Sequence, residues 1–106
     1  MNKRIKAEWI KALTSGEYKQ TSGALRDKNG FCCLGVFMDA CYGYEWIWYP
    51  GEESYGFRRN KDYKGKDYNT LCELMEITDS QRVFLVESNE RGDSFDKIAE
   101  WISNNL

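Results

Sequence analysis

The sequence contains no histidine. That removes the Ser-His-Asp and Cys-His pairs that activate nucleophiles, and the histidine-based zinc sites. It also removes the commonest general base near neutral pH. Neither a GxxxxGK(S/T) nor a GxGxxG stretch occurs, so the usual phosphate-cradling loops are missing. No apolar run approaches the roughly 20 residues of a membrane span. The opening MNKRIKAEWIKAL begins positive but carries Glu8 and Lys11, which argues against a signal peptide. An overall basic surplus is absent as well. The net charge of −2 argues against a general nucleic-acid binder, which needs a positive field to displace counterions.

Cysteine is present but not in a metal pattern. Cys32 and Cys33 are adjacent, Cys41 lies eight residues beyond Cys33, and Cys72 is remote. Zinc sites use CxxC-type pairs, so these read as small core residues in a reducing cytosol. Cys32 stands where a helix N-terminus would lower a thiol pKa. The carboxylate pairs Glu52-Glu53, Asp62 with Asp67, and Glu87 with Glu90 are sequence neighbours facing water, not acids set across a cleft. The residues thus nominate no catalytic group, metal ligand or cofactor.

At 106 residues the chain is expected to form one domain, residues 1–106. Ile5, Trp9, Ala12 and Leu13 recur at helical spacing over 4–14, and Gly16 ends that helix. Ala24-Leu25-Arg26 reads as a short strand entering the turn Lys28-Asn29-Gly30. The most apolar stretch, Phe31 to Cys41, reads as a buried helix with Cys33, Phe37 and Cys41 on one face, ended by Gly43. Gly35 in its middle costs about 1 kcal/mol relative to Ala, which close approach of a neighbouring backbone would justify. Tyr44, Trp46 and Trp48 alternate with Glu45, Ile47 and Tyr49. Pro50 to Glu53 is a turn, and Tyr55 to Arg58 returns antiparallel. Asn60 to Asn69 is a polar stretch and a candidate lid. Thr70 is placed to cap a short helix through Leu71, Leu74 and Met75. Thr78-x-x-Gln81 is a capping box, Gly92-Asp93 breaks that helix, and Ser94 caps the last one. The fold class is therefore α+β: four to five short helices packed with a small antiparallel β-hairpin or sheet.

What the chain does have is aromatic rings gathered in one place. Nine of its sixteen aromatic residues lie between Tyr42 and Tyr68, interleaved with Arg58, Arg59, Lys61, Lys64 and Lys66. Residues 1 to 30 carry seven Lys and Arg against three Asp and Glu, whereas the remainder is acidic. Rings beside cations suit a flat anionic ligand such as a nucleotide. A stack on an aromatic side chain is worth about 1–3 kcal/mol per base. An Arg–phosphate hydrogen bond adds about 1.5–3 kcal/mol. The expected ligand-binding residues are Trp46, Trp48, Tyr49 and Tyr55 for stacking, and Arg58, Arg59, Arg26 and Lys19 for phosphates. A domain this small encloses a nucleotide most easily between protomers or under a loop. The alternative is that Trp46, Trp48 and Phe57 are simply the core face of a hairpin.

The stretch WIKALTSGEYKQTSGALRDKNGFCCLGVFMDAC, Trp9 to Cys41, resembles a "W…AL.SG.Y.Q..G.L…..FCCLGVL.D" block of a family of small phage-encoded proteins. The tail SFDKIAEWISNNL, Ser94 to Leu106, is similar to that family's "SF..IA..I..NL" ending. The two blocks cover under half the chain, and the aromatic middle departs from the pattern. The resemblance implies a phage accessory protein acting in the cytoplasm of an infected bacterium. Phage proteins of this kind include sponges that sequester cyclic nucleotides or ADP-ribose derivatives made by bacterial immune systems. A homo-oligomer binding such a nucleotide-like ligand without catalysis is the leading expectation. A host-takeover protein that blocks a bacterial protein is the second, and a small carboxylate/metal phosphodiesterase the third.

Overall fold

The computed structural model describes residues 1–42, 45–58 and 68–106, with Phe57, Arg58, Tyr68, Asn69 and Thr70 described by backbone alone. Helix α1 runs Lys3–Thr14. Its first N–H groups are met by the Asn2 side chain, which accepts from Arg4 and Ile5 at 2.9 and 3.1 Å. Gly16 follows its end at φ 79°, a conformation that favours glycine. The helical stripe buries Trp9 and Leu13 completely or nearly so, and Ile5 and Ala12 in part.

The chain then forms a tight hairpin, β1 (Arg26–Asp27) and β2 (Gly30–Phe31). The Asp27 carboxylate accepts from the Asn29 and Gly30 N–H groups and shapes the turn. The strand begins two residues later than the Ala24-Leu25-Arg26 reading, although the Leu25 carbonyl still accepts from the Cys32 N–H opposite it at 3.0 Å.

The apolar stretch Phe31 to Cys41 is not one uniform helix. Phe31 belongs to β2, Cys32 is the cap, and α2 covers only Cys33–Phe37 before a π-helical turn over Met38–Tyr42. All residues from Cys32 to Met38 are buried. Gly35 has the reason its position demanded: a Cβ there would run into the Leu25 carbonyl. Gly43 and Tyr44 lie outside the described residues.

The aromatic hairpin forms as its alternation and turn predict, with β3 (Glu45–Tyr49) paired to β4 (Ser54–Arg58) in register at all five positions. Strand β4 also pairs with β1, giving an antiparallel sheet of order β2-β1-β4-β3. This sheet joins hairpins that the sequence kept separate.

Helix α3 (Tyr68–Met75) starts two residues before Thr70, so Thr70 lies within the helix rather than capping it. Helix α4 (Asp79–Glu90) begins with the expected capping box: Thr78 and Gln81 exchange hydrogen bonds at 2.8 and 3.1 Å. Gly92 at φ 91° follows it, and Ser94 caps α5 (Phe95–Asn105). The core is shared by all five helices: Trp9 and Leu13, Leu34 and Phe37, Leu71 and Met75, Leu85, and Ile98 with Ile102. These elements establish the α+β class. No helix among the described residues is long and apolar enough to cross a membrane.

Candidate functional site

Strand register brings the aromatic and cationic residues together. Arg26 sits across from Phe31 on one side and from Tyr55 on the other, while Tyr55 sits across from Trp48. Directly opposed residues share a sheet face. Trp46, two residues from Trp48, joins the same face. The Arg26 guanidinium lies 4.5 Å from the Tyr55 ring centre, 4.8 Å from Phe31 and 5.7 Å from Trp46. Each is within cation–π range. Stacking leaves the N–H edge of a planar guanidinium able to donate to a phosphate or carboxylate. Among the described residues no carboxylate pairs with Arg26.

The rings around Arg26 differ in support. Phe31 packs edge-on to Trp46 at 5.9 Å and to Tyr18 at 5.0 Å. The Trp46 indole N–H donates to Asp39 at 3.0 Å, and the Tyr18 hydroxyl donates to the other Asp39 oxygen at 2.6 Å. One carboxylate thus fixes two rings. Burial, and then the bond to Asp39, hold the Tyr18 hydroxyl far above the usual phenol range, so it remains a donor. Trp48, by contrast, meets Tyr55 edge-on at 4.9 Å and is 39% exposed.

The other expected site residues are placed differently. Tyr49 alternates to the opposite face, where its ring covers Gly56 so closely that a Cβ there would fall 2.7 Å from it. Its hydroxyl is buried without a hydrogen-bond partner among the described residues. Tyr49 is therefore not brought into the Arg26 cluster: the two-residue period of a strand separates it from Trp48. Lys19 is exposed, and its backbone carbonyl accepts from the Phe31 N–H at 2.8 Å. Its loop is pinned by buried Asn89, whose side chain accepts from Gln20 and from the Cys33 N–H and donates to the Thr21 carbonyl. Arg58 ends β4, opposite Glu45, with its side chain outside the described residues. Arg59 lies outside them altogether, as does the candidate lid from Asn60 to Asp67, while Tyr68 and Asn69 belong to α3.

Phe31, Tyr18 and Asp39 complete the cluster and were not anticipated as site residues. Asp39 did carry a signal: it is the one charge between Phe31 and Cys41. Four clefts lined by described residues lie away from the rings of Trp46, Trp48 and Tyr55. One of about 220 Å³ is walled by Leu25, Cys32, Leu34, Val86, Asn89 and Glu90. A shallower groove of about 380 Å³ runs past Lys11, Ser15, Glu17 and Tyr18.

The thiols are set against nucleophilic work. Cys32 does cap a helix, accepting from the Gly35 N–H at 3.4 Å. Burial nevertheless outweighs that bond and pushes its pKa up to about 11. Burial also raises Cys33 well above the usual thiol value, and Cys41 to about 11. At neutral pH these thiols are protonated, Cys32 and Cys33 within the core and Cys41 part-buried against it, which agrees with their reading as small core residues; the helix end does not lower Cys32. Among the described residues no group of three His, Cys, Asp or Glu is arranged to hold a metal ion. Glu87 and Glu90 are exposed on α4, and the Glu90 carboxylate accepts from the Gly23 N–H at 2.7 Å.

A family model described as a domain of unknown function (DUF8296) matches residues 1–73, and the chain belongs to that family. No curated protein and no solved structure matches the chain.

Proposed function

We propose that this family member is a non-catalytic binding protein that sequesters a flat, anionic, nucleotide-type ligand on the Arg26 face of its sheet. One observation carries the reading: Arg26 is stacked among Phe31, Trp46 and Tyr55 with no carboxylate paired to it among the described residues, beside a partly exposed Trp48. Trp46 and Phe31 hold the cation in place. Trp48 and Tyr55 offer ring surface, and the guanidinium edge offers donors to phosphate. One stack and one charge-assisted bond fall short of the roughly −8 kcal/mol of a micromolar complex. A second stack and further cations are needed, and two copies of the chain supply them. With the resemblance of the Trp9–Cys41 and Ser94–Leu106 blocks, the reading becomes a phage anti-defence sponge. It would act as a homo-oligomer in the cytoplasm of the infected host, against a cyclic nucleotide or an ADP-ribose derivative.

Calorimetry against cyclic dinucleotides and cyclic ADP-ribose isomers tests this. A ligand binding more tightly than about 10 µM at modest salt is expected, with the heat lost in Arg26→Ala. A panel with no binder in that range removes the proposal.

A second reading is favoured by Trp48 lying on an open sheet surface rather than in one of the clefts described. Tyr, Trp and Arg dominate the energetic centres of protein interfaces, so this face also suits a host protein that the chain inhibits. A stoichiometric partner recovered from host lysate by the native chain, and not by Trp48→Ala, would establish that reading in place of the first.

A further inference from the structure

The cleft of about 220 Å³ lies between residues 23–25 and helix α4. Hydrogen bonds fix its shape from both ends. Buried Asn89 holds the Gln20 side chain and the Thr21 carbonyl, and the Leu25 carbonyl accepts from the Cys32 N–H. Between these anchors the Gly23 N–H donates to the Glu90 carboxylate at 2.7 Å. The segment is thereby held off α4 instead of collapsing onto it, and the space between them is preformed. The walls are apolar: Leu25 and Leu34 are buried, Val86 is half-buried, and burial keeps the Cys32 thiol protonated. A dry cavity of about 150 Å³ holds benzene, and drug-sized ligands take about 300 Å³ or more. The cleft therefore fits one ring or a short alkyl chain. Two side chains bring polar groups to it. Asn89 spends its oxygen on Gln20 and the Cys33 N–H, and its nitrogen on Thr21. Glu90 is exposed, and among the described residues no Lys or Arg pairs with its carboxylate. The Gly23 bond uses only part of the accepting capacity of that carboxylate.

We infer that this cleft is a second binding site, for a small organic cation: one aromatic ring or short alkyl chain carrying an ammonium group. Charge complementarity selects the class. An anionic guest brings like charge against Glu90, and a neutral one leaves the carboxylate to water. An ammonium only donates and the ionised Glu90 only accepts, so the two match. The apolar body of the guest fills the space against Leu25, Leu34 and Val86, where removal from water favours it. The cleft shares no residue with the Arg26 cluster and takes the opposite charge, so this inference stands or falls apart from the proposed function.

Titration of the native, isotope-labelled chain with phenethylammonium, 2-phenylethanol and phenylacetate, followed by amide NMR, tests it. With phenethylammonium the Gly23, Ala24, Val86 and Glu90 signals should shift and half-saturate at about 1–5 mM, the affinity of a fragment-sized guest. The Trp48 indole signal should stay in place. The alcohol should need at least about five-fold more, the difference between a charge-assisted and a neutral hydrogen bond. Phenylacetate should leave the cleft signals unmoved at the same concentrations. Glu90→Gln keeps an acceptor for the Gly23 N–H and sits on an exposed position. It should bring phenethylammonium to the alcohol's affinity and leave the alcohol unchanged. Cleft signals unmoved by phenethylammonium up to about 20 mM overturn the site, as do shifts centred on the Trp46 and Trp48 indoles instead. An alcohol or anion that binds as tightly as the ammonium overturns the ligand class. A Glu90→Gln chain that binds phenethylammonium as the native chain does overturns it too.

Discussion

Trp9 of α1 is fully buried, packed edge-on against Phe37 of α2 at 5.4 Å, and its indole N–H donates to the Cys33 carbonyl at 3.0 Å. Trp48 is 39% exposed, with Tyr55 as its ring neighbour. The same side chain is a keystone in one region and an open surface in the other. Around Trp9, the packing on Phe37 and the bond to Cys33 tie α1 to α2 inside the core, so the site has little room to relax. Around Trp48, the residues are held by strand register, and a side chain there can change without moving the backbone. The structural role of Trp9 and the binding role proposed for Trp48 differ in this support rather than in composition.

The comparison can be broken most severely at Gly35, the position where α2 touches the strand entrance. Gly35→Ala should cost about 3 kcal/mol or more, because a Cβ meets the Leu25 carbonyl and backbone cannot step aside as a side chain can. The midpoint of urea unfolding reads this loss. A midpoint within experimental error of the native chain would show that the Leu25 segment is not fixed.

Next is Trp9→Phe, expected to cost about 2–4 kcal/mol. It leaves a void and removes the donor that satisfies a buried carbonyl. Equilibrium unfolding checks it, and a loss below about 1 kcal/mol would place Trp9 among ordinary core residues.

The buried thiols give a pH test of the same region. The Cys32 pKa is raised from 9.0 to about 11 by burial, so the folded state holds its proton where the unfolded chain has lost it. Stability from this group is complete below pH 9 and declines as pH rises from 9 towards 11. The full decline amounts to about 3 kcal/mol at roughly 1.4 kcal/mol per pKa unit. Cys32→Ser retains a capping oxygen and removes the titration, so the alkaline slope should flatten. An unchanged slope would assign it to other groups.

The smallest effect belongs to the sheet face. Trp48→Ala should change stability by less than about 1 kcal/mol, since no core contact is lost. Thermal and urea unfolding read this directly. A loss as large as that of Trp9→Phe would make Trp48 part of the core and remove the distinction between the regions.

Much of the fold was legible locally. The Thr78 and Ser94 caps, the alternation of β3, the Pro50–Glu53 turn and the need for a small residue at Gly35 are each written in a few neighbouring residues. The site was legible only as an inventory. Trp46, Trp48, Tyr55 and Arg26 do share one face, but Arg26 and Tyr55 are distant in sequence. Nothing local states that β1 pairs with β4. Adjacency in sequence puts Tyr49 beside Trp48, but strand alternation sends it to the far face. Thr70 looked like a cap because its residue type suits one, yet the backbone turns helical two residues earlier. The apolar run from Phe31 has the pattern of a single helix, because hydrophobicity does not reveal that Phe31 completes a hairpin and that the last turn widens into a π-helix.

The sequence by itself determined the caps of α4 and α5, the turn of the β3–β4 hairpin, which residues avoid water, and which chemistries have no histidine, phosphate loop or cysteine box to run on. Those properties depend on nearest neighbours and on composition. Tertiary structure alone decided that Arg26 stands among three rings, that Asp39 holds Trp46 and Tyr18 together, and that the Cys32 thiol is raised rather than lowered by its setting. Each of these depends on pairing between distant segments or on desolvation, and both arise only when the chain closes on itself.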